Sequence, residues 1–143
     1  MRGLVWSILR DEHALDDVLQ SAYEKAFLQI GGFEGRSSFS TWMYSICYRT
    51  AIDHTRYEGR RQHEDLASVR HLRTAGEPTE SADDRAELAQ LLAELDGDER
   101  ALLFLQAGLG YSYDELSEIT GIPRGTLATK LSRLKIRIRK ENS

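Results

Sequence analysis

Between Leu15 and Ile30 the apolar residues Leu15, Val18, Leu19, Ala22, Ala26, Phe27 and Ile30 recur mainly at spacings of three and four. That spacing predicts a helix with one buried stripe. "GGFEG" then breaks the pattern, because adjacent glycines destabilise a helix and permit turns closed to other residues. A second helix is expected to start near Ser37 or Ser38, whose hydroxyl can cap free backbone amides, and to run to about Tyr57. Phe39, Trp42, Met43, Ile46 and Cys47 supply its apolar face, so Phe39, Trp42 and Ile46 are expected in the core. "EGRRQHEDLASVRHLRTAGEPTESADD" follows with few large apolar residues and dense charge of both signs, and reads as a flexible linker. Helical periodicity resumes at "DRAELAQLLAEL". Asp96 with Glu99, and Ser112 with Glu115, are capping boxes that open two further helices, one stopped by glycine near Gly110 and the other by Gly121. Leu116 and Ile119 point inward from the second of these. After Pro123 a last helix carries the row Leu127, Leu131, Leu134 and Ile138.

No strand signal and no internal repeat accompany these helices. The expected fold is all-α: two small helical domains, residues 1–57 and 86–143, joined by a flexible linker over 58–85, the second domain a helix-turn-helix. A length of 143 residues and a hydrophobic content of 41% suit such an arrangement. No stretch is apolar enough to cross a bilayer, and "MRGLVWSILR" is too short and too basic at its end for a secretory signal, so a cytoplasmic location is expected. Cys47 is the single cysteine, and neither it nor the four histidines has partners at metal-ligand spacing. GxSxG, HExxH and phosphate-binding glycine loops are missing from the sequence, so no cofactor, metal or enzymatic chemistry is expected.

The net charge of -4 conceals a segregation: from Arg124 to Lys140 there are seven Lys or Arg and no acid. With Leu127 inward, the hundred-degree helical step puts Thr129, Ser132 and Arg133 on the opposite side, flanked by Thr126 and Lys130. Those side chains suit base edges or phosphates, and Arg124, Lys135, Arg137, Arg139 and Lys140 suit the DNA backbone. The plainer reading is a solvated basic helix whose cations complement the helix dipole. Ile136 falls on the outward side, where DNA contact gives it no role. In "FEGRSSFSTWMYSICYRTAIDHTR", residues 33–56, aromatic and basic side chains gather around serines, a composition suited to stacking unpaired bases and holding phosphates. The candidates for base contact are Phe33, Glu34, Arg36, Ser37, Tyr44, Tyr48 and Arg56.

Three stretches resemble one family. "DDVLQSAYEKAF" is similar to the first conserved helix of bacterial sigma factors of the extracytoplasmic-function group, in the sigma-70 family. "FEGRSSFSTWMYSICYRTAIDHTR" and "GYSYDELSEITGIPRGTLATKLSRLKIRIRK" resemble that family's turn-and-helix and its promoter-reading helix-turn-helix. The resemblance implies a factor that binds core RNA polymerase and directs it to promoter DNA, the first lobe opening the minus-ten element and the second reading the minus-thirty-five element. It implies that Asp16, Asp17, Gln20 and Lys25 meet the clamp helices of the large polymerase subunit. It also implies that the turn from Phe33 to Ser38 holds a flipped non-template base, that the minus-thirty-five element meets Arg124, Thr126, Thr129, Lys130, Ser132, Arg133 and Arg137, and that an anti-sigma factor is a partner. The family normally has another helix before "GLVWSILRD". Arg49 stands where it usually has Asn, Ser21 replaces a common acid, and Ala128 replaces a basic or polar residue. The alternatives are a polymerase-independent helix-turn-helix regulator and an interaction protein that sequesters a partner through the acidic first helix without reading DNA.

Overall fold

The computed structural model describes residues 1–64 and 82–141, and every regular element among them is helical. Seven α-helices follow in order: α1 (Arg2–Leu9), α2 (Glu12–Gln29), α3 (Phe39–Glu64), α4 (Ala82–Glu94), α5 (Gly97–Leu103), α6 (Tyr113–Thr120) and α7 (Arg124–Glu141). A short 3-10 turn, Ile30–Gly32, closes α2, and a wide π turn, Phe104–Gly108, continues α5.

The local signals act where the sequence places them. Asp11 accepts from the amides of His13 and Ala14 and so caps α2, and the Ser38 hydroxyl accepts from the Thr41 amide at 3.1 Å ahead of α3. Both capping boxes form reciprocally, Asp96 with Glu99 and Ser112 with Glu115. Gly121 ends α6 at a φ of 77°, a left-handed conformation that only glycine adopts without strain. The expected linker is shorter than its composition suggested, since α3 runs on to Glu64 and α4 already begins at Ala82. "GRRQHE" contains no proline, and its Arg, Gln and Glu residues favour helix enough to carry α3 past Tyr57 and Gly59. The rest of the expected linker lies outside the described residues.

Two of the expected buried stripes are shorter than the periodicity implied. Leu15, Val18, Leu19, Ala22 and Ala26 are buried on α2, but Phe27 and Ile30 are exposed, as is Leu28. On α3, Met43, Ile46 and Cys47 are buried, Trp42 is half-buried and Phe39 is 54% exposed. Both departures come at helix ends, beyond the reach of a neighbouring helix.

The helices fall into two groups, α1–α3 and α4–α7, yet their apolar residues form one cluster. Leu4, Val5 and Ile8 of α1, Cys47 and Ala51 of α3, Leu102 of α5, Leu105, Leu116 of α6, and Leu127 and Leu131 of α7 all belong to it. Helix α1, which the sequence did not signal, is the wedge between the groups. It approaches α5 so closely that a methyl group on Gly97 would sit 3.2 Å from Ile8 Cγ2, and one on Gly3 would sit 2.6 Å from the Phe104 ring.

Arg100 clasps the junction. Its guanidinium donates to the carbonyls of Ser7 and Ile8 at the end of α1 and to those of Leu92 and Leu95 at the end of α4, the Ile8 bond measuring 2.8 Å and the Leu92 bond 3.2 Å. The last carbonyls of a helix have no partner within it, and the negative end of its dipole favours a cation. One side chain therefore serves two helix ends. Burial lowers the pKa of Arg100, with Arg10 acting in the same direction, and the four carbonyls supply the acceptors that the partly desolvated charge requires.

Tyr48 makes a second cross-junction bond, donating its hydroxyl to Asp98 Oδ1 at 2.7 Å from a side chain 5% exposed. Burial raises its pKa well above the ordinary value of 10.0, and the hydrogen bond to Asp98 and that residue's charge push the same way.

Two outcomes follow for stability. Arg100→Ala loses charge-assisted bonds at both helix ends and lowers the unfolding free energy by about 2–4 kcal/mol in urea denaturation, whereas Arg2→Ala, which breaks the exposed ion pair with Asp16, changes it by about 0–1 kcal/mol. Because the native state holds the Tyr48 proton more tightly than the unfolded chain, its contribution is fully present below pH 10 and lost as pH rises toward the native pKa. The stability difference between wild type and Tyr48→Phe is thus constant below pH 10 and narrows above it in alkaline denaturation curves.

Candidate nucleic-acid and polymerase surfaces

The basic surface is built on α6, its turn and α7. Leu116 and Ile119 of α6 and Leu127, Leu131 and Leu134 of α7 are buried, which fixes the opposite face of α7 outward. Thr120 ties the turn together, donating to the Leu116 carbonyl at 2.8 Å and accepting from the Ile122 amide at 3.2 Å. Arg124, Thr126, Thr129, Lys130, Ser132, Arg133 and Arg137 are all exposed, so the expected face exists as a face. Its two ends are engaged within the chain. Arg124 pairs with Asp114 of α6 at 3.3 Å, and Arg137 reaches Glu99 and the Glu94 carbonyl, each at 3.1 Å. Thr129 donates to the Gly125 carbonyl at 3.1 Å and keeps its methyl group for contact. Lys130, Ser132 and Arg133 make up the centre of the face. Ile136 is exposed beside them.

The second surface lies at the turn before α3. Phe33, Glu34, Arg36 and Ser37 line a pocket of about 340 Å³ with Gly32 and Trp42. Gly35, at φ 74°, lets the turn double back, and Arg36 pairs with Glu34 at 2.8 Å on its rim. Phe33, Phe39 and Trp42 form an aromatic cluster with ring centroids 5.2–6.0 Å apart. Of the two residues expected in the core, Trp42 packs against it and also forms a wall of this pocket, whereas Phe39 lies exposed on the pocket's flank. Their spacing of three also fits a helix face that ends at an open site, a reading that periodicity alone does not separate from burial. Ser38, a further candidate, is the cap of α3, bonded to the Thr41 hydroxyl and amide.

Tyr44, Tyr48 and Arg56 stand apart from the pocket. Arg56 is exposed. Tyr48 is buried against Asp98, and Tyr44, half-buried, meets Tyr111 edge to face at 5.7 Å, so the second group of helices covers the first of these rings and part of the second. Burial raises the pKa of Tyr44 and of Tyr111, so both stay neutral donors through the physiological range.

The third surface is the outer face of α2. Asp16, Asp17, Gln20 and Lys25 are exposed, but they do not form one patch. Asp16 and Gln20 border a groove of about 810 Å³ with Tyr23, Phe27 and Leu28. Arg2 donates to Asp16 at 2.8 Å, and Gln20 to Glu24 at 3.4 Å. Lys25 turns the other way and donates to Thr50 of α3 at 3.5 Å. The exposed apolar row Tyr23, Phe27 and Leu28 was not singled out as a surface, because Phe27 also fits the buried stripe by spacing. Residues 16, 20, 23 and 27 do follow one another at three and four, and that row was the available signal.

Among the described residues no group of His, Cys, Asp or Glu could hold a metal ion, and no helix is long and apolar enough to cross a membrane. Comparison with known proteins gives the arrangement its place. Residues 1–61 match the family model of Sigma-70 region 2, and residues 85–138 match that of Sigma-70, region 4. The chain is 30% identical over 133 residues to the ECF RNA polymerase sigma factor SigC of Mycobacterium tuberculosis, covering 90% of this chain and 72% of the relative. It is also 30% identical over 143 residues to the RNA polymerase sigma-H factor of Pseudomonas aeruginosa, covering 92% and 74%. In fold it is similar to the sigma factor RpoE of Bartonella quintana, solved in complex with the anti-sigma factor NepR, with a TM-score of 0.81 at 23% identity over 98% of this chain and 88% of that one. CnrH, solved with the cytosolic domain of CnrY, gives 0.63 at 20% identity over 97% and 76%. With a region 2 whose turn carries an aromatic pocket and a region 4 whose helix-turn-helix presents a basic face, the chain belongs to the extracytoplasmic-function sigma factors of the sigma-70 family, which direct promoter-specific transcription.

Proposed function

We propose that the three surfaces divide the work of initiation. The groove on α2 docks on core RNA polymerase, with Asp16 and Gln20 on its polar rim and Tyr23, Phe27 and Leu28 as its apolar floor, and Asp17 is exposed on the same helix outside it. Lys25, bonded to Thr50, holds α2 on α3 next to it. The pocket from Phe33 to Ser37 takes a base flipped out of the minus-ten element. Phe33 and Trp42 supply ring faces for stacking, and Arg36, released from Glu34, supplies a cation for the neighbouring phosphate. Ser38 fixes the start of α3 under the pocket, and the exposed Arg56 extends the strand-binding track along that helix, while Tyr48, buried against Asp98, and Tyr44, packed on Tyr111, serve the junction with the second group of helices. Helix α7 enters the major groove at the minus-thirty-five element. Thr126, Thr129, Lys130, Ser132 and Arg133 lie at its centre, with Arg124 and Arg137 toward the phosphates on either side.

Residues 1–57 and 86–143 are then the two functional domains, and the stretch 58–85 sets their separation. The chain acts by binding, without covalent chemistry of its own, in the cytoplasm where polymerase works, and an anti-sigma protein is its natural antagonist. The observation that carries this reading is the presence on one chain of an open aromatic-walled pocket, suited to stacking a single strand, and an exposed basic helix face, suited to duplex. A regulator that reads duplex DNA alone has use for only the second.

The test is reconstitution of purified core polymerase with this chain and mapping of transcript starts on genomic DNA. Starts that share a two-element upstream motif support the reading, and random starts or none overturn it. Within that assay Lys130→Glu with Arg133→Glu abolishes initiation at such promoters while leaving affinity for core polymerase unchanged. Restoring one of the two cations recovers part of the activity and steepens the salt dependence by about one counterion. Phe27→Asp lowers affinity for core polymerase at least about tenfold, and because Phe27 is 78% exposed, its thermal unfolding stays within about 0.5 kcal/mol of wild type.

A further inference from the structure

Each end of the exposed face on α7 carries an arginine paired with an acid from an earlier helix, and the two pairs are built differently. Arg124 meets Asp114 of α6 at 3.3 Å, with side chains 65% and 71% exposed. Such a pair is loose, because solvent screens it. Arg137 is gripped from two sides. Its Nη1 donates to Glu99 Oε2 and its Nη2 to the Glu94 carbonyl, each at 3.1 Å, and the Glu99 side chain is only 26% exposed. Glu94 is the last residue of α4, where carbonyls lack partners within the helix and the dipole favours a cation. Glu99 is itself fixed, because its other oxygen, Oε1, accepts from the Asp96 amide at 3.1 Å in the capping box of α5.

The place of this tie along α7 gives it a consequence for the DNA face. Helix α7 has 18 residues, and Leu127, Leu131 and Leu134 are the ones it buries. Of residues 135–140 only Ile138 is half-buried. Arg137 is therefore the polar tie at the outer end of the helix, reaching partners 38 and 43 positions back in the sequence. A tilt of about 10° about Leu127 moves the backbone at Arg133, about 9 Å further along the axis, by about 1.5 Å. Hydrogen bonds to base edges need placement within about 0.5 Å, so such a tilt breaks them. Attraction to phosphates falls off slowly with distance and survives it.

We propose that Glu99 is a positioning residue for the duplex reader: acting through Arg137, it sets the angle at which α7 enters the major groove, so that Lys130, Ser132 and Arg133 meet base edges. The inference rests on the reading given under Proposed function and divides that reading's two flanking cations. Arg124, loosely paired, turns from Asp114 to a phosphate when DNA arrives. Arg137 stays on Glu99 and Glu94. Glu99 lies in α5, outside the helix-turn-helix, and contacts no DNA, yet it governs how well α7 distinguishes one sequence from another.

The test uses the full chain bound to core polymerase. It compares affinity for a promoter found by transcript mapping with affinity for the same DNA carrying a scrambled upstream element, across a range of salt. Glu99→Gln keeps an oxygen for the Asp96 amide and removes the charge that holds Arg137. Arg137→Lys keeps the cation and loses the fork that spans two acceptors. Each is expected to reduce the ratio of the two affinities about tenfold with the salt dependence of wild type, and their combination to lose no more than either alone. Arg124→Ala is expected to weaken binding to both DNAs alike and to flatten the salt slope by about one counterion. A wild-type ratio in both Glu99→Gln and Arg137→Lys overturns the inference. So does a ratio that falls only together with the urea unfolding midpoint, which marks a merely structural bond. If Arg137→Ala flattens the salt slope as Arg124→Ala does, Arg137 is a phosphate contact and the inference is likewise wrong. A wild type without preference for the upstream element overturns the reading under Proposed function and the inference with it, a result that shows before any substitution is made.

Discussion

The structure depends on the meeting of α1 with α5 under the guanidinium of Arg100. A helix of eight residues has little stability alone, since nucleation fixes several backbone angles before any hydrogen bond rewards it. Helix α1 persists because Leu4, Val5 and Ile8 are wholly buried and because Arg100 satisfies the carbonyls at its end, where Arg10 turns left-handed at φ 50° without the glycine usual there. Region 2 thus borrows part of its order from region 4. Removing that one cation would leave acceptors of two helices unmet at the place where the halves join.

From this junction follows the accessibility of each surface. The α2 groove, the turn pocket and the centre of the α7 face all point away from it and are open. Tyr48 of α3 is buried at this junction, and Tyr44 is half-buried beside it. The net charge of -4 reflects a balance of the α7 cations by acids elsewhere in the chain, which limits the long-range attraction of the whole chain for a polyanion.

What could be read from sequence was what local chemistry decides. Both capping boxes, the Gly121 stop and the Leu127, Leu131, Leu134 row need only neighbours within a turn or two, and each forms where it was expected. The all-α class and the exposed basic face of α7 follow from those elements. The rest is tertiary. Phe27 and Phe39 satisfy the period of a buried stripe but lie where no second helix covers them, and periodicity carries no information about where a neighbour ends. Helix α1 and the Tyr48–Asp98 bond depend on partners about fifty to ninety residues away in sequence, as the separations of 50 and 92 for Tyr48 with Asp98 and Arg100 with Ile8 show. Within the candidate sites, the pocket residues Phe33 to Ser37 were legible because a glycine turn beside aromatics is a local pattern. Trp42 and the Tyr23, Phe27, Leu28 row were not, because apolar side chains at helical spacing look the same whether they face a core or a partner.

The central claim is that one chain, held by core RNA polymerase, engages promoter DNA through two unlike surfaces. Footprinting of promoter DNA bound by core polymerase together with this chain measures that directly. The account predicts duplex protection at the upstream element and bases at the downstream element made reactive toward single-strand reagents. Protection of neither element, or of the upstream element alone with the downstream bases still paired, would contradict it.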